Sequence, residues 1–351
     1  MFFTELQQDL DHRAAQNLLR RRRTLQSAQG AQITVDGKPY LSFCINDYLG
    51  LANHPRAMAA LQRGAAQYGV GSGASHLVSG HFAAHEQLEQ ALAAFVGNPS
   101  ALLFSTGYLA NLGMVQALAG RGDTVFADRL NHASLNDAML LSRANIKRYH
   151  HNDTAQLDRF LTATRRGRKL VITDAVFSMD GDIAPLPKLL ALCERHDALL
   201  LVDDAHGFGV LGAQGRGAMA HFGLDSPRLI YMATLGKAAG VSGAFVAAEN
   251  VIIETLLQHA RSYIYTTASP PALAVALQEN LVLLREEEWR RNRLRQLIEQ
   301  LRAALQASPW TLMPSTTPIQ PLLVGDNEAA LTLIEILRAR GILVPAIRPP
   351  T

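Results

Sequence analysis

Cysteine is nearly absent from this 351-residue chain: it has two, Cys44 and Cys193, far apart in sequence. That spacing offers neither a disulfide framework nor a cysteine metal cluster, and it suits a reducing cytosol. No stretch reaches the roughly 18 apolar residues of a membrane span. The first ten residues carry Glu5 and Asp9 and have no apolar core of signal-peptide length. Internal repeats and low-complexity linkers are missing too. Neither sign of charge dominates: 33 basic against 30 acidic side chains leave a formal +3, too little to attract nucleic acid, while the pI near 8.9 leaves room for anionic substrates. What remains is a cytoplasmic globular protein, 48% hydrophobic and 18% charged, with material for one large domain and a smaller one.

From Ala101 onward short apolar runs alternate with helical patterns. Residues 101–104, 124–127, 146–149, 170–176, 199–202, 229–233 and 243–247 read as strands. Helical spacing falls between most of them, over 109–118, 134–141, 157–164 and 187–196. The alternation predicts an α/β domain with a mostly parallel sheet.

Residues 199–237 organise this domain. The run Leu199–Val202 ends in Asp203 and Asp204, followed by Ala205, His206 and Gly207. The run Leu229–Ala233 leads into Thr234-Leu235-Gly236-Lys237. In open parallel sheets ligands sit beyond the carboxyl ends of the strands, so Asp203, His206, Thr234 and Lys237 are expected in one crevice. The set suits pyridoxal 5'-phosphate (PLP). A lysine amine can form a Schiff base with its aldehyde, and an acid facing the pyridine nitrogen keeps the ring protonated. His206 can hydrogen-bond the ring hydroxyl, and Thr234 can hold phosphate. Taken singly, each residue has a plainer reading: Asp as a cap or turn former, Lys as a surface charge, Asp-Asp-x-His as a metal site.

Other strand ends carry polar groups. Ser105-Thr106-Gly107-Tyr108 marks a strand-to-helix turn whose free N–H groups can cradle a phosphate, ahead of a helix expected from Ala110. His132 can stack on a planar ring or simply begin a helix. Ser178 can donate to the cofactor or serve as a turn serine.

Elsewhere, residues 4–23 read as an amphipathic helix ending in Arg20–Arg23, cations that suit a helix C-terminus. One of them is a candidate partner for a substrate carboxylate. Asp36-Gly37 between two strand-like runs predicts a hairpin, and Pro55 opens a helix to about Tyr68. The glycine-rich stretch 69–75 follows a helix rather than a strand, so it reads as a flexible loop near a ligand or subunit interface, and a dinucleotide-binding dehydrogenase is the distant alternative. His81 and His85 lack a third ligand at metal-site spacing, so no metal is expected. A long helix over 272–308 leads to a small domain with strand-like residues 319–324, a helix over 329–340 and a strand at 342–344. The closing Pro-Pro segment can hold Arg348 toward an anion.

The motifs Asn46–Gly50, Asp128–Ser134, Val176–Gly181, Val202–Gly207, Thr234–Lys237, Ile319–Leu322 and Ile347–Thr351 together resemble the α-oxoamine synthases. That resemblance implies a fold type I PLP-dependent transferase: a large domain with a seven-stranded, mostly parallel sheet flanked by helices, and a smaller α+β C-terminal domain. The implied organisation is an N-terminal helix and hairpin over 1–45, a cofactor domain over 46–271 and a small domain over 272–351. Because members continue past Pro-Pro-Thr, the small domain is expected to be truncated. The last two motifs favour the member that opens biotin assembly, which condenses L-alanine with pimeloyl-CoA or a pimeloyl-acyl carrier protein and loses carbon dioxide. A glycine-using relative is the alternative.

By the same resemblance Lys237, His132 and Asp203 are catalytic. Gly107, Tyr108, His132, Ser178, Asp203, His206, Thr234 and Lys237 bind the cofactor. Thr266 and Thr267 reach the neighbouring subunit's phosphate in a homodimer with interface sites. Arg20, Asn46, His132, Arg348 and Thr351 meet substrate. Asp174 replaces a common glutamate and Tyr108 a common phenylalanine; neither removes a needed group.

Overall fold

The computed structural model describes residues 1–348. These divide into two compact units. The smaller holds Met1–Asn46, Leu305–Leu312 and the described residues from Leu322. The larger holds Asp47–Ala304 and Met313–Pro321. The division differs from the expected 1–45, 46–271 and 272–351. The helix Pro271–Glu286 stays with the large unit because its backbone is pressed against the helix Pro55–Tyr68: a Cβ on Gly64 would come 2.8 Å from Cα of Ala272.

In the smaller unit, helix α1 spans Phe2–Ala15 and buries none of its residues. It stops well short of the expected Arg23. Asn17 adopts a left-handed φ of 59° and Leu18 N–H turns back to the Arg13 carbonyl at 2.8 Å, so Arg20–Arg23 follow the helix instead of ending it. Strands β1 (Gln32–Val35) and β2 (Lys38–Ser42) form the expected hairpin, with Asp36 and Gly37 at φ 49° and 77°. Two consecutive positive φ values are what a two-residue type I′ turn requires.

The larger unit is built on seven strands: β3 (Ser100–Phe104), β4 (Thr124–Asp128), β5 (Asn145–Tyr149), β6 (Lys169–Asp174), β7 (Leu199–Asp203), β8 (Leu229–Thr234) and β9 (Ala244–Ala248). Their order is β3-β9-β8-β7-β6-β4-β5, and only β9 runs against the rest. Alternate residues feed two cores. Phe126, Val171, Leu200, Val202, Tyr231 and Phe245 face one side; Val125, Ile172, Leu201, Ile230, Met232 and Val246 face the other. Helices cover both sides, which is why the strands read as unbroken apolar runs instead of alternating ones. Each such side chain contributes roughly 1.5–3 kcal/mol by leaving water. The first side is covered by helices that include α3 (Ala83–Val96), the second by α4 (Gly107–Leu118) and α5 (Ala133–Ser142).

The remaining strands are short and lie in the smaller unit. β10 (Thr311–Leu312) pairs with β11 (Leu322–Leu323), and β12 (Ile342–Leu343) lies parallel to β2. A helix over Asn327–Ala339 precedes β12. The expected long helix over 272–308 is two helices, Pro271–Glu286 and Glu288–Leu305. Glu287, at φ −103° and ψ 56°, leaves helical geometry between them.

Candidate active site

β3, β4, β6, β7 and β8 share a direction, so their carboxyl ends open on one edge of the sheet. At the end of β7 the strand's alternation separates the two acids. Asp204 turns inward, where Tyr231 Oη and Ala218 N–H donate to its Oδ2 at 2.8 and 2.7 Å. Burial pushes its carboxyl up to about 7 against those hydrogen bonds. Asp203, 4% exposed, turns the other way. Its Oδ1 accepts from Ala205 N–H at 3.0 Å and its Oδ2 from Asn111 Nδ2 at 2.7 Å. A carboxylate has about four acceptor positions, so Asp203 keeps capacity for a further donor.

Lys237 sits in a tight loop after β8. Gly240 N–H bonds its carbonyl at 2.8 Å, and the fully buried Asn280 holds the Ala239 carbonyl at 2.7 Å from the helix Pro271–Glu286. Gly240 has φ 72° and would place a Cβ 2.6 Å from Ala52 N, so glycine is required there. Lys237 Nζ lies 2.7 Å from His206 Nε2, and Tyr48 Oη lies 2.7 Å from His206 Nδ1. Burial lowers the lysine pKa, opposed by the charges of Asp203, Asp174 and Asp204. Burial first, then Lys237 and His132, pushes His206 down to about 3. The imidazole is therefore neutral, and a Lys237 amine that donates to Nε2 would put the ring proton on Nδ1, toward Tyr48.

A second chain of hydrogen bonds runs from Asp203 to His132. Asn111 spends its other N–H on Ser134 Oγ at 2.8 Å, and Ser134 Oγ is 2.7 Å from His132 Nδ1. The Ser134 backbone N–H also donates to His132 Nδ1 at 3.3 Å, so Nδ1 is an acceptor to which Ser134 Oγ can donate. Asp174 Oδ2 accepts the His132 backbone N–H at 2.7 Å. Burial, and then the neighbouring Asp203, raise the Asp174 carboxyl well above the usual range. The two acids are register partners on β6 and β7.

Thr106 caps α4, accepting from Leu109 N–H, so this helix begins at Gly107 and not at Ala110. A Cβ on Gly107 would meet Thr234 Cβ no closer than 3.8 Å. The helix N-terminus and Thr234 thus lie side by side, and even a Cβ at Gly107 would make only ordinary contact with Thr234 and Met232. Thr234 Oγ1 donates to the Gly243 carbonyl and accepts from Gly236 N–H.

The structure therefore gathers Lys237, His206, Asp203, His132, Thr234 and Gly107. Tyr108 is exposed beside them, its hydroxyl on Asp137. Ser178 lies half-buried in the turn after β6. Thr266 and Thr267 follow the short helix Arg261–Ile264. Arg20, Asn46 and Arg348 belong to the smaller unit, within which Arg348 donates to the Asn17 carbonyl. Thr351 lies outside the described residues. Sequence reasoning gave no role to Tyr48 or Asn111. Asn111 had a signal, an amide among the apolar positions of α4; Tyr48 sits 158 residues from its partner and had none beyond its place in a motif.

The donor set fits PLP. A desolvated amine, a buried carboxylate with spare acceptor capacity, two imidazoles and a helix N-terminus are the groups that its aldehyde, pyridine nitrogen, ring face and phosphate call for.

A family model described as aminotransferase class I and II matches residues 38–351. The 8-amino-7-oxononanoate synthase of Nitrosospira multiformis is 64% identical over 346 residues, covering 99% of this chain and 87% of that protein. The enzyme of the same name from Nitrosomonas europaea is 61% identical over 350 residues, covering 99% and 90%. Among solved structures, a serine palmitoyltransferase variant from S. paucimobilis with a bound PLP–myriocin aldimine superposes with a TM-score of 0.92 at 29% identity, covering 98% of this chain and 90% of that one. The 8-amino-7-oxononanoate synthase of Francisella tularensis gives 0.79 at 34%, covering 89% of each. PLP is the cofactor and fold type I the architecture. The chain belongs to the class I and II aminotransferase family and, within it, to the 8-amino-7-oxononanoate synthases.

Proposed function

We propose that the protein joins L-alanine to a pimeloyl thioester, on coenzyme A or an acyl carrier protein, to give 8-amino-7-oxononanoate, carbon dioxide and free thiol for biotin synthesis. The observation that carries this reading is the cluster of Lys237, His206 and Asp203 at the carboxyl edge of the sheet.

Bound PLP supplies an electron sink for negative charge at the amino-acid Cα. The protein does the rest. Lys237 Nζ, desolvated and so easily neutral, holds the cofactor in the resting enzyme and takes the Cα proton when substrate is present. Asp203 keeps a proton on the ring nitrogen through a charge-assisted hydrogen bond, and Asn111 fixes that carboxylate. His206 meets the ring oxygen. His132, held by Asp174 and Ser134, would contact the cofactor ring and substrate. The N–H groups at Gly107 and Tyr108, with Ser178 and Thr234, bind cofactor, chiefly at the phosphate. In a cytoplasmic homodimer Thr266 and Thr267 serve the partner's phosphate. Arg20, Asn46, Arg348 and Thr351 receive substrate.

The test is product formation. PLP-loaded protein given L-alanine with pimeloyl-CoA, or with pimeloyl-acyl carrier protein, should yield 8-amino-7-oxononanoate by mass spectrometry. Glycine with acetyl-CoA should yield little. The reverse preference would replace this reading with the glycine-using one.

A further inference from the structure

A group of titratable side chains outside the site just described surrounds His81. A π-helical turn, His76–Gly80, brings His76 and His81 together. A Cβ on Gly80 would lie 2.1 Å from the Ala74 carbonyl oxygen, so only glycine closes this turn. π-Helical segments recur at functional sites. His81 Nε2 then lies 3.3 Å from Glu86 Oε2 and 3.9 Å from Glu89 Oε2. Glu86 and Glu89 stand three residues apart on α3, on one face. Sequence spacing offered His81 only His85 as a companion, and His85 is in fact spent: its Nδ1 accepts from Phe82 N–H and its Nε2 bonds the Ser269 carbonyl.

We propose that His81 Nε2, Glu86 and Glu89 form a binding site for a divalent transition metal of the zinc class. Three features favour it over a simple ion pair. The first is spacing. Tetrahedral zinc with bonds of about 2.0–2.2 Å holds its ligand atoms about 3.3–3.5 Å apart. The His81–Glu86 distance already fits, and Glu89 is about half an ångström too far. The second is Glu89 itself, 8% exposed. Its Oε1 accepts from Leu103 N–H at 2.8 Å. Its Oε2 has no hydrogen bond among the described residues and faces His81 from beyond hydrogen-bond range.

The third feature is the outer support. A ligating histidine ordinarily donates its other N–H to a fixed acceptor. His81 Nδ1 lies 2.9 Å from His76 Nδ1. His76 is stacked on Tyr263 with ring centres 5.0 Å apart and planes 9° from parallel. Glu86 is similarly steadied, its Oε1 accepting from Gln90 Nε2 at 2.7 Å. Glu86 and His81 remain open to solvent, which leaves the fourth position for water. The other mixed cluster, at His151, lacks this property because Asp128 and Asp182 take both ring nitrogens.

The test uses the PLP-loaded protein with Cys44→Ser, treated with chelator and titrated with zinc chloride alone by calorimetry and thermal melting. One zinc per chain should bind and raise the melting midpoint. His81→Gln and Glu86→Gln, both at the solvent-facing side, should each weaken binding at least tenfold while leaving the metal-free midpoint in place. His76→Gln should weaken it about 10–100-fold. Cobalt should give tetrahedral d–d absorption, to the red of the cofactor bands, in the parent protein only. No binding, or binding indifferent to these substitutions, would overturn the proposal.

Discussion

Lys237 and His206 are joined amine to imidazole at 2.7 Å, and Tyr48 closes the far side of the same ring at 2.7 Å. Three segments far apart in sequence thus meet on one imidazole. With Nε2 accepting from the amine, the ring proton must sit on Nδ1, against Tyr48. When Nε2 turns to a cofactor oxygen, the Tyr48 hydroxyl can reverse and donate to Nδ1, freeing Nε2–H as the donor.

Tyr48→Phe removes this control. PLP should still bind, but His206 should populate both tautomers, seen as a change in its ring nitrogen NMR shifts. Losing one hydrogen bond of about 1 kcal/mol should cost roughly five- to tenfold in turnover. Unchanged nitrogen shifts would show that Tyr48 does not set the tautomer.

Asp203→Asn keeps the shape of the site and removes the charge. The variant should retain PLP yet exchange the α-proton of L-alanine with deuterium on the order of a thousandfold more slowly. Asn111→Ala leaves the charge and loosens it, so its loss should be smaller, about tenfold. Near-normal exchange in Asp203→Asn would remove the role assigned to that carboxylate.

The strands, and the meeting of Lys237 with His206 and Asp203 at one edge of the sheet, were legible because both rest on short-range pattern. Strands buried on both faces are apolar throughout, and groups at strand ends must share an edge. Asp36-Gly37 announced its turn for a similarly local reason. What local pattern could not supply was the chain's later folding upon itself. Nothing near Leu10 reveals that Asn17 ends α1, and nothing near Glu287 marks the break between two strongly helical segments. Asn111, Tyr48 and the His76 turn act on partners that only the tertiary fold brings within reach.

Asp204→Asn tests the buried acid beside the site by pH. Its folded value near 7 lies above the usual aspartate range, so folding favours the protonated form. The stability this contributes is complete below about pH 4 and is lost as pH rises through about 7. Chemical denaturation of the parent should therefore show a fall across that window. The variant should lack a share of that fall on the order of a few kcal/mol. Parallel pH profiles would contradict a buried Asp204 carboxyl held above the usual aspartate range.

Gly64→Ala probes the crossing of the helices Pro55–Tyr68 and Pro271–Glu286. The added methyl would meet Ala272 Cα at 2.8 Å. Overpacking should cost about 1–3 kcal/mol, which outweighs the roughly 1 kcal/mol that alanine gains in a helix. A lowered melting midpoint is expected; a raised one would place the helices farther apart.

The most direct measurement reduces the PLP-loaded protein with borohydride, digests it and maps the modified peptide by mass spectrometry. The account predicts a phosphopyridoxyl group on Lys237 and on no other lysine. Label on another lysine, or none at all, would contradict it.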